Sequence, residues 1–328
     1  TGAPAPLTGT WVNDAVQSTA VDRGAPGDSY VNEPAPSGNY INVGAYGNTA
    51  QASRSPAEYV LVTKPDGGEV WPAQQTFPIR WRSHDLNLTF LLELLQQGNP
   101  TPLLTIAAAA PGTGEYVWTV PDTLPPATDY LIRVTRNDAG ALSDVSDFPF
   151  SITAPINVYY VNDDAVAAGD WTTAPGNDSL NDGLSPASPL ASISAVLARY
   201  DLDPGDVIRV DAGTYNLSTN LIIDAADAGV TLEGYHDGAF PDRVAVLNRG
   251  NTSNGAYVVE LHNADGVTIS HLAITGGNQG IYADAASDTD GLTVRDSRIY
   301  GNLNHGIYLA TSNDAPTLTG NTLSSQYY

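Results

Sequence analysis

A repeat toward the C-terminal end constrains this chain more than any other feature. GVTIS at Gly266, GLTVR at Gly291 and APTLTG at Ala315 place Val267, Leu292 and Thr317 at equal spacing, a period of about 25 residues that lies in the range of stacked repeats. Each period holds a second short strand, at LAITGGN around Ile274 and SRIYGNL around Ile299. A third follows at GIYA (Gly280) and GIYL (Gly306), separated by one position more than that period. A unit of that length cannot bury its own apolar face, so successive units must stack as a solenoid.

Three short strands per turn, with glycine and asparagine at the corners, predict a parallel β-helix whose rungs lie one strand spacing, about 4.8 Å, apart. Val267, Ile269, Ile274, Ile281, Leu292, Val294, Ile299 and Ile307 then form interior columns while Thr268 faces outward. VIRVDAG, NLIIDAA, GVTLEGY, VAVLNRG and AYVVELH fit less regular first rungs, which sets the coil at about 205 to 328. A helix from Pro189 to Arg199, capped by Ser188 and with Leu190, Ile193, Val196 and Leu197 on one side, is expected to cover its start.

Upstream the texture changes. From Tyr59 come YVLVTKP, VW, TFPIRW, LTFLLELL, TPLLTIAAAA, EYVWTVP, DYLIRVTR and FPFSI, each bounded by Gly, Pro, Asn or Asp. Such a series predicts a two-sheet β-sandwich with Trp71, Trp81 and Trp118 in its core. LLELLQQ has helical propensity, but it is short and flanked by LTF and QGNP, so it reads as a strand. Before the sandwich, Thr1 to Pro56 is rich in Pro, Gly, Asn and Asp, with short apolar pieces such as Tyr40, Ile41, Val43 and Tyr46. It is expected to lie as ordered loops against a larger body.

Charge narrows the partners. Thirty-six acidic residues, seven of them Glu, stand against 13 basic ones, for a net charge of -23, and Lys64 is the sole lysine. That field repels nucleic acid and the anionic face of a membrane, and it favours cations. The excess of Asp, with 31 Gly and 23 Pro, suits a turn-rich, all-β chain. Having no cysteine, the chain has no disulfide, thiol or cysteine-zinc chemistry. No run approaches a membrane span, and a start at Thr1 without a basic, apolar leader reads as a processed or excised chain.

YYVNDD at 159, GNDSLNDGLSPASPLASISAVL at 176 and PGDVIRVDAGTYNL at 204 resemble the capping segment of right-handed parallel β-helices. The family is that of pectate-lyase-like folds in large secreted bacterial surface proteins. YVNEPAPSGNYINVGAYGNTAQAS at 30 is similar to the sequence that closes the C-terminal end of such a coil, and PDGGEVWPAQQTFPIRW at 65 resembles an immunoglobulin-like linker domain. These resemblances imply an all-β chain in three parts: a closing segment over 1–57, an immunoglobulin-like sandwich over 58–154, and the cap and first rungs of a β-helix over 155–328. They also imply one unit of a longer tandem chain or polymer, in which the N-terminal closing segment of one copy docks on the open C-terminal rung of another.

Enzymes with this fold act on acidic polysaccharides, and the candidates for such chemistry are Arg295, Asp296, Arg298, His305 and His271. Asp296 follows His271 by one repeat period, which puts both on one outer column with Arg295 beside Ser270. A hydrolase needs two carboxylates facing one cleft about 5 to 10 Å apart, and a lyase or epimerase needs an unprotonated base at the sugar carbon acid. Neither set is evident, so the residues read as surface pairs. Asp163, Asp164, Asp170, Asp178 and Asp182, with Asn181, offer hard oxygen ligands for calcium, although Asx turns use the same groups; Asp284, Asp288 and Asp290 form a second cluster. Trp171, Tyr282, Tyr300 and Tyr308 are candidates for stacking on sugars, and Tyr282 and Tyr308 fall on equivalent rungs. The reading favours an extracellular, non-enzymatic structural repeat. Its alternatives are a calcium-dependent polysaccharide lyase, epimerase or hydrolase fragment and a carbohydrate-binding or adhesion module.

Overall fold

The computed structural model describes residues 20–25, 27–56, 58–84 and 87–324. The chain divides into two compact units, Thr1–Pro155 and Ile156–Tyr328.

Nine strands among the described residues build the first unit. In order they are β1 (Val60–Lys64), β2 (Val70–Pro72), β3 (Thr76–Ser83), β4 (Thr89–Gln96), β5 (Asn99–Pro111), β6 (Glu115–Thr119), β7 (Ala127–Arg136), β8 (Ser143–Val145) and β9 (Phe150–Thr153). One sheet runs β1-β3-β6 and the other β2-β9-β7-β4-β5, with β8 paired to β7. LLELL is the middle of β4, which pairs with β5 on one side and β7 on the other, so ladder bonds and burial overrule its helical propensity. Trp71, Trp81 and Trp118 are buried between the sheets, and Trp71 stacks on Phe77 at 5.0 Å. β8 is absent from the expected strands, since three residues reading Ser-Asp-Val carry no period.

The described residues of 20–56 contain no strand or helix and are held on the sandwich by two arginines. Arg82 donates to the carbonyls of Asp22 and Gly24 and lies 3.7 Å over the Tyr40 ring. Arg23 reaches the Val62 carbonyl at 3.0 Å, Asp66 at 3.1 Å and Asp147 at 2.7 Å. The larger body that these loops require is therefore the sandwich.

The second unit is the coil. β10 (Val158–Val161) precedes α1 (Ile193–Arg199), and the rungs follow. They are β11 (Val207–Val210), β12 (Gly213–Asn216) and β13 (Leu221–Asp224); β14 (Thr231–Gly234), β15 (Ala245–Asn248) and β16 (Tyr257–His262); β17 (Thr268–Ser270), β18 (Leu272–Thr275) and β19 (Gln279–Ala283). Next come β20 (Thr293–Arg295), β21 (Arg298–Tyr300) and β22 (His305–Leu309), then β23 (Thr317–Thr319) and β24 (Thr322–Ser324). Parallel pairing gives three sheets, β10-β11-β14-β17-β20-β23, β12-β15-β18-β21-β24 and β13-β16-β19-β22. Val267, Ile269, Ile274, Ile281, Leu292, Val294 and Ile299 are fully buried, and Ile307 packs against them.

Two details correct the sequence reading. Thr317 pairs with Thr293, one position short of the expected period, and is not the counterpart of Leu292. The link from β22 to β23 is shorter than that from β19 to β20, while the link from β21 to β22 is longer than its predecessor. The helix starts at Ile193, capped by Ser192, whose side chain accepts the Ala195 N–H at 3.1 Å. Pro189 and Leu190 lie outside it because Leu190 exchanges backbone bonds with Tyr160 and Asn162, forming a bridge to β10.

Side chains also close the corners between rungs. The buried N–H groups of Ala264, Leu272, Gly277 and Thr289 are taken by Thr289 Oγ1, Ser297 Oγ, Asn302 Oδ1 and Asn313 Oδ1, each 24 or 25 residues later. On the exposed edge the bonds run the other way: the backbone N–H of Asp288 donates back to Asn263 Oδ1, that of Asp290 to Asp265 Oδ1 and that of Asp314 to Asp290 Oδ1.

Near the start of the coil Asp227 is 6% exposed, and its carboxyl is pushed up to about 6, by burial first and then by Asp224. The folded state thus takes up this proton before the unfolded chain does, so its contribution to stability grows as pH falls from about 6 to about 4 and is absent above that window. Asp227→Asn is expected to raise stability at pH 7 by about 1–2 kcal/mol, after discounting for solvent screening, and to flatten the dependence between those pH values. Urea midpoints at pH 4.5, 6 and 7.5 for both proteins check it; an unchanged pH slope in the variant removes Asp227 as the cause.

Candidate functional site

The register of β11, β14, β17 and β20 aligns Arg209, Glu233, Ser270 and Arg295 in one column. Arg209 Nε meets Glu233 Oε2 at 2.9 Å. Ser270 is fully buried, and its Oγ has no hydrogen-bond partner among the described residues. At the adjoining corner His271 and Asp296 adopt φ of 55° and 52°, left-handed positions at which the chain leaves one sheet for the next.

There His271 Nε2 lies 3.9 Å from Asp296 Oδ2, and Arg295 lies 3.6 Å from the same carboxylate. The His236 ring stacks on His271 with centroids 4.0 Å apart. Burial, and then His236, lower the affinity of His271 for a proton, so the imidazole is neutral at pH 7. The structure therefore brings together His271, Arg295 and Asp296. It puts Arg298 on the next sheet, its guanidinium 4.4 Å over the Tyr300 ring, and His305 on the third, tilted against Tyr308 at 5.4 Å. The Asp296 carboxylate is beyond hydrogen-bond distance of the imidazole, Glu233 acts on it only through its charge, and the His236 ring covers one imidazole face. This is a column of stacked rings, with one ion pair along it, that links successive rungs.

Several carboxylates of the acidic loop accept bonds from the loop's own backbone. Asp163 accepts the Ala165 N–H, and Asp182 that of Leu184, a bond that with Ser188 holds the Asp182 carboxyl below its usual range. Asp178 accepts the Ala191 and Ser192 N–H groups and the Ser192 hydroxyl. Asp170 pairs with Arg243, Asn181 donates to the carbonyls of Pro175 and Pro189, and Asp164 is exposed. In the second cluster Asp284 accepts from Ala286 and Ser287, while Asp288 and Asp290 stand on the rung edge. Among the described residues no three His, Cys, Asp or Glu side chains are placed to share an ion.

Each candidate aromatic has a neighbour over at least one face. Tyr257 stacks on Tyr282 at 3.8 Å and Tyr282 on Tyr308 at 5.5 Å. Trp171 packs against Tyr235 and His236, with Arg209 5.5 Å above it. It anchors the loop, helped by Asp211, which takes the N–H and hydroxyl of Thr172, and by Tyr235, which donates to the Gly169 carbonyl. Sequence reasoning passed over Asp211, Arg243 and His236, whose partners Thr172, Ala168 and His271 lie far from them along the chain. It passed over the corner ladders too, although Asp265, Asp290 and Asp314 stand visibly at the repeat interval.

Fold and column together define an immunoglobulin-like domain followed by a right-handed parallel β-helix, a structural repeat architecture. Residues 64–148 match the family model described as a Kre9/KNH-like N-terminal Ig-like domain. Residues 206–327 match the model of the right handed beta helix region. Comparisons with curated proteins and with solved structures gave no match. No helix among the described residues is long and apolar enough to cross a membrane.

Proposed function

We propose that the chain is a non-catalytic structural repeat of an extracellular surface or matrix protein, with the coil as a stiff spacer and the immunoglobulin-like domain as the joint, and that its last rung is covered by further repeats of a longer chain or by the closing segment over 1–57 of a neighbouring copy. One observation carries this reading. Leu318 and Leu323 continue the buried columns of Val294 and Ile299, yet they are 50% and 53% exposed. Covering β23 and β24 would bury both, a gain of about 0.8–1.5 kcal/mol per side chain, half the value for a fully exposed one. Such a contact is heterologous and repeats without closing, so it yields end-to-end strings. Negative-stain imaging and light scattering at high protein concentration test it: strings that disappear in Leu318→Lys support the reading, whereas monomers in wild type, or strings that persist in the variant, overturn addition of copies at this rung.

A further inference from the structure

An asparagine followed by glycine is open to attack on its side-chain amide by the next backbone nitrogen, because glycine has no Cβ to shield that nitrogen. The chain has one Asn-Gly pair, Asn254-Gly255, and Asp precedes Gly at Asp66, Asp182, Asp237, Asp265 and Asp290. The state of the glycine nitrogen separates these positions. Gly67 donates to Glu69 Oε2 at 2.9 Å, and Gly183 to the Ser188 carbonyl at 2.7 Å. In the coil, Gly266 donates to the Asp290 carbonyl at 2.7 Å and Gly291 to that of Asp314 at 2.9 Å. Gly238 has no such bond among the described residues, but Asp237 before it offers a carboxylate, a weaker electrophile than an amide. Among the described residues neither the Gly255 nitrogen nor the Asn254 side chain has a hydrogen-bond partner, and every residue from 251 to 255 is exposed.

We propose that Asn254 is a site of self-modification, at which the folded chain deamidates through a cyclic imide with Gly255 and needs no enzyme. The Gly255 nitrogen, having lost its proton, forms a bond to Asn254 Cγ; the Cγ–Nδ2 bond breaks, and Nδ2 leaves as ammonia after taking up one proton for the one that Gly255 lost. Water then opens the ring at one of its two carbonyls. Opening at Cγ leaves an aspartyl residue in an unchanged backbone, and opening at the backbone carbonyl leaves an isoaspartyl linkage whose chain is one carbon longer. Either way one water is consumed, one ammonia is released and one negative charge appears. Neighbouring rungs hold both sides of this tip. Ahead of it, the Asn251 N–H donates to the Gly276 carbonyl at 2.9 Å and Asn278 Nδ2 to the Thr252 carbonyl at 3.1 Å. Behind it, Asn220 Nδ2 donates to the Gly255 carbonyl at 2.9 Å and the Asn278 N–H to the Ala256 carbonyl at 2.6 Å. The added carbon therefore lengthens the exposed tip while β15 and β16 keep their places. The reaction does not depend on the covering of the last rung proposed above, since it lies in the link between β15 and β16.

Peptide mapping by mass spectrometry tests this on the full chain, kept folded at mildly alkaline pH. The peptide that holds Asn254 is expected to gain about 1 Da, the difference between the water taken up and the ammonia lost, before any other asparagine reacts. An isoaspartyl methyltransferase with a labelled methyl donor should mark that peptide, because direct hydrolysis of the side chain would give aspartate alone. The change is expected to run at least about tenfold faster at pH 9 than at pH 7, since the attacking nitrogen acts as its anion. Unfolding in urea should leave the rate at Asn254 within about threefold and should release isoaspartyl formation at Asp265 and Asp290, whose glycine nitrogens the folded coil holds. Asn254→Gln, a change at an exposed position, is expected to lose the label and keep the melting temperature. An Asn254 that reacts in urea but stays intact in the folded chain, aspartate without isoaspartate, a label that persists in Asn254→Gln, or Asp265 and Asp290 reacting as fast folded as unfolded would each overturn the proposal.

Discussion

Gly176→Ala is expected to cost more than about 4 kcal/mol and to dissolve the cap of the coil. A Cβ at this position would fall 1.9 Å from the Asn162 carbonyl oxygen, 2.7 Å from Ala191 Cα and 2.7 Å from the Leu190 carbonyl oxygen. All three are backbone atoms, and two of them belong to residues of the bridge that joins Leu190 to β10, so no flexible side chain can yield. Hydrogen exchange read by mass spectrometry should lose protection across 157–200 while β1 to β9 keep theirs. Wild-type protection over 157–200 in the variant would mean that the cap tolerates a displaced backbone and that the close approach has no structural weight.

Ile269→Ala should show the second large effect. Ile269 is fully buried between Leu232 and Val294 in the stack, and large-to-small changes at such sites cost about 3–4 kcal/mol in lost contacts and residual cavity. Thr268→Ala, one position away and facing out, should stay within about 0.5 kcal/mol. In a solenoid each rung is held by its neighbours alone, so the defect should also divide the coil. Rungs after β19 are expected to exchange at lower denaturant than β11 to β16, and a uniform shift of all rungs would show that the coil melts as one block.

The interior of the coil is legible in sequence because each strand alternates: Ile269, Val294, Ile274 and Ile299 fall where an alternation of two inside the longer repeat puts them. That same periodicity is what brings Asp296 to His271 and Arg295 to Ser270. What periodicity cannot convey is compensation between links, and so the shortened step from Thr293 to Thr317 escapes it. Nor does local propensity reveal that Leu190 is drawn out of the helix by Tyr160 and Asn162, partners on and just after a strand well upstream of it. His236 joins the His271 column from a rung with a long insertion between β14 and β15, where the repeat interval fails. The pins of the N-terminal loops, Arg23 to Asp147 and Arg82 to Asp22, span 124 and 60 residues and leave no local trace.

The buried bonds of the corner ladders share a direction, opposite to those on the exposed edge, and it bears on how the coil is completed. The buried N–H groups of Ala264, Leu272, Gly277 and Thr289 are satisfied by side chains that lie 24 or 25 residues further on. A ribosome adds about 5–20 residues per second, so each rung waits roughly one to five seconds for the residues that complete its corners. During synthesis the newest rung is always the incomplete one, with polar backbone exposed to water until its successor arrives. Each of these buried corners therefore stays incomplete until the residues of the following rung are present.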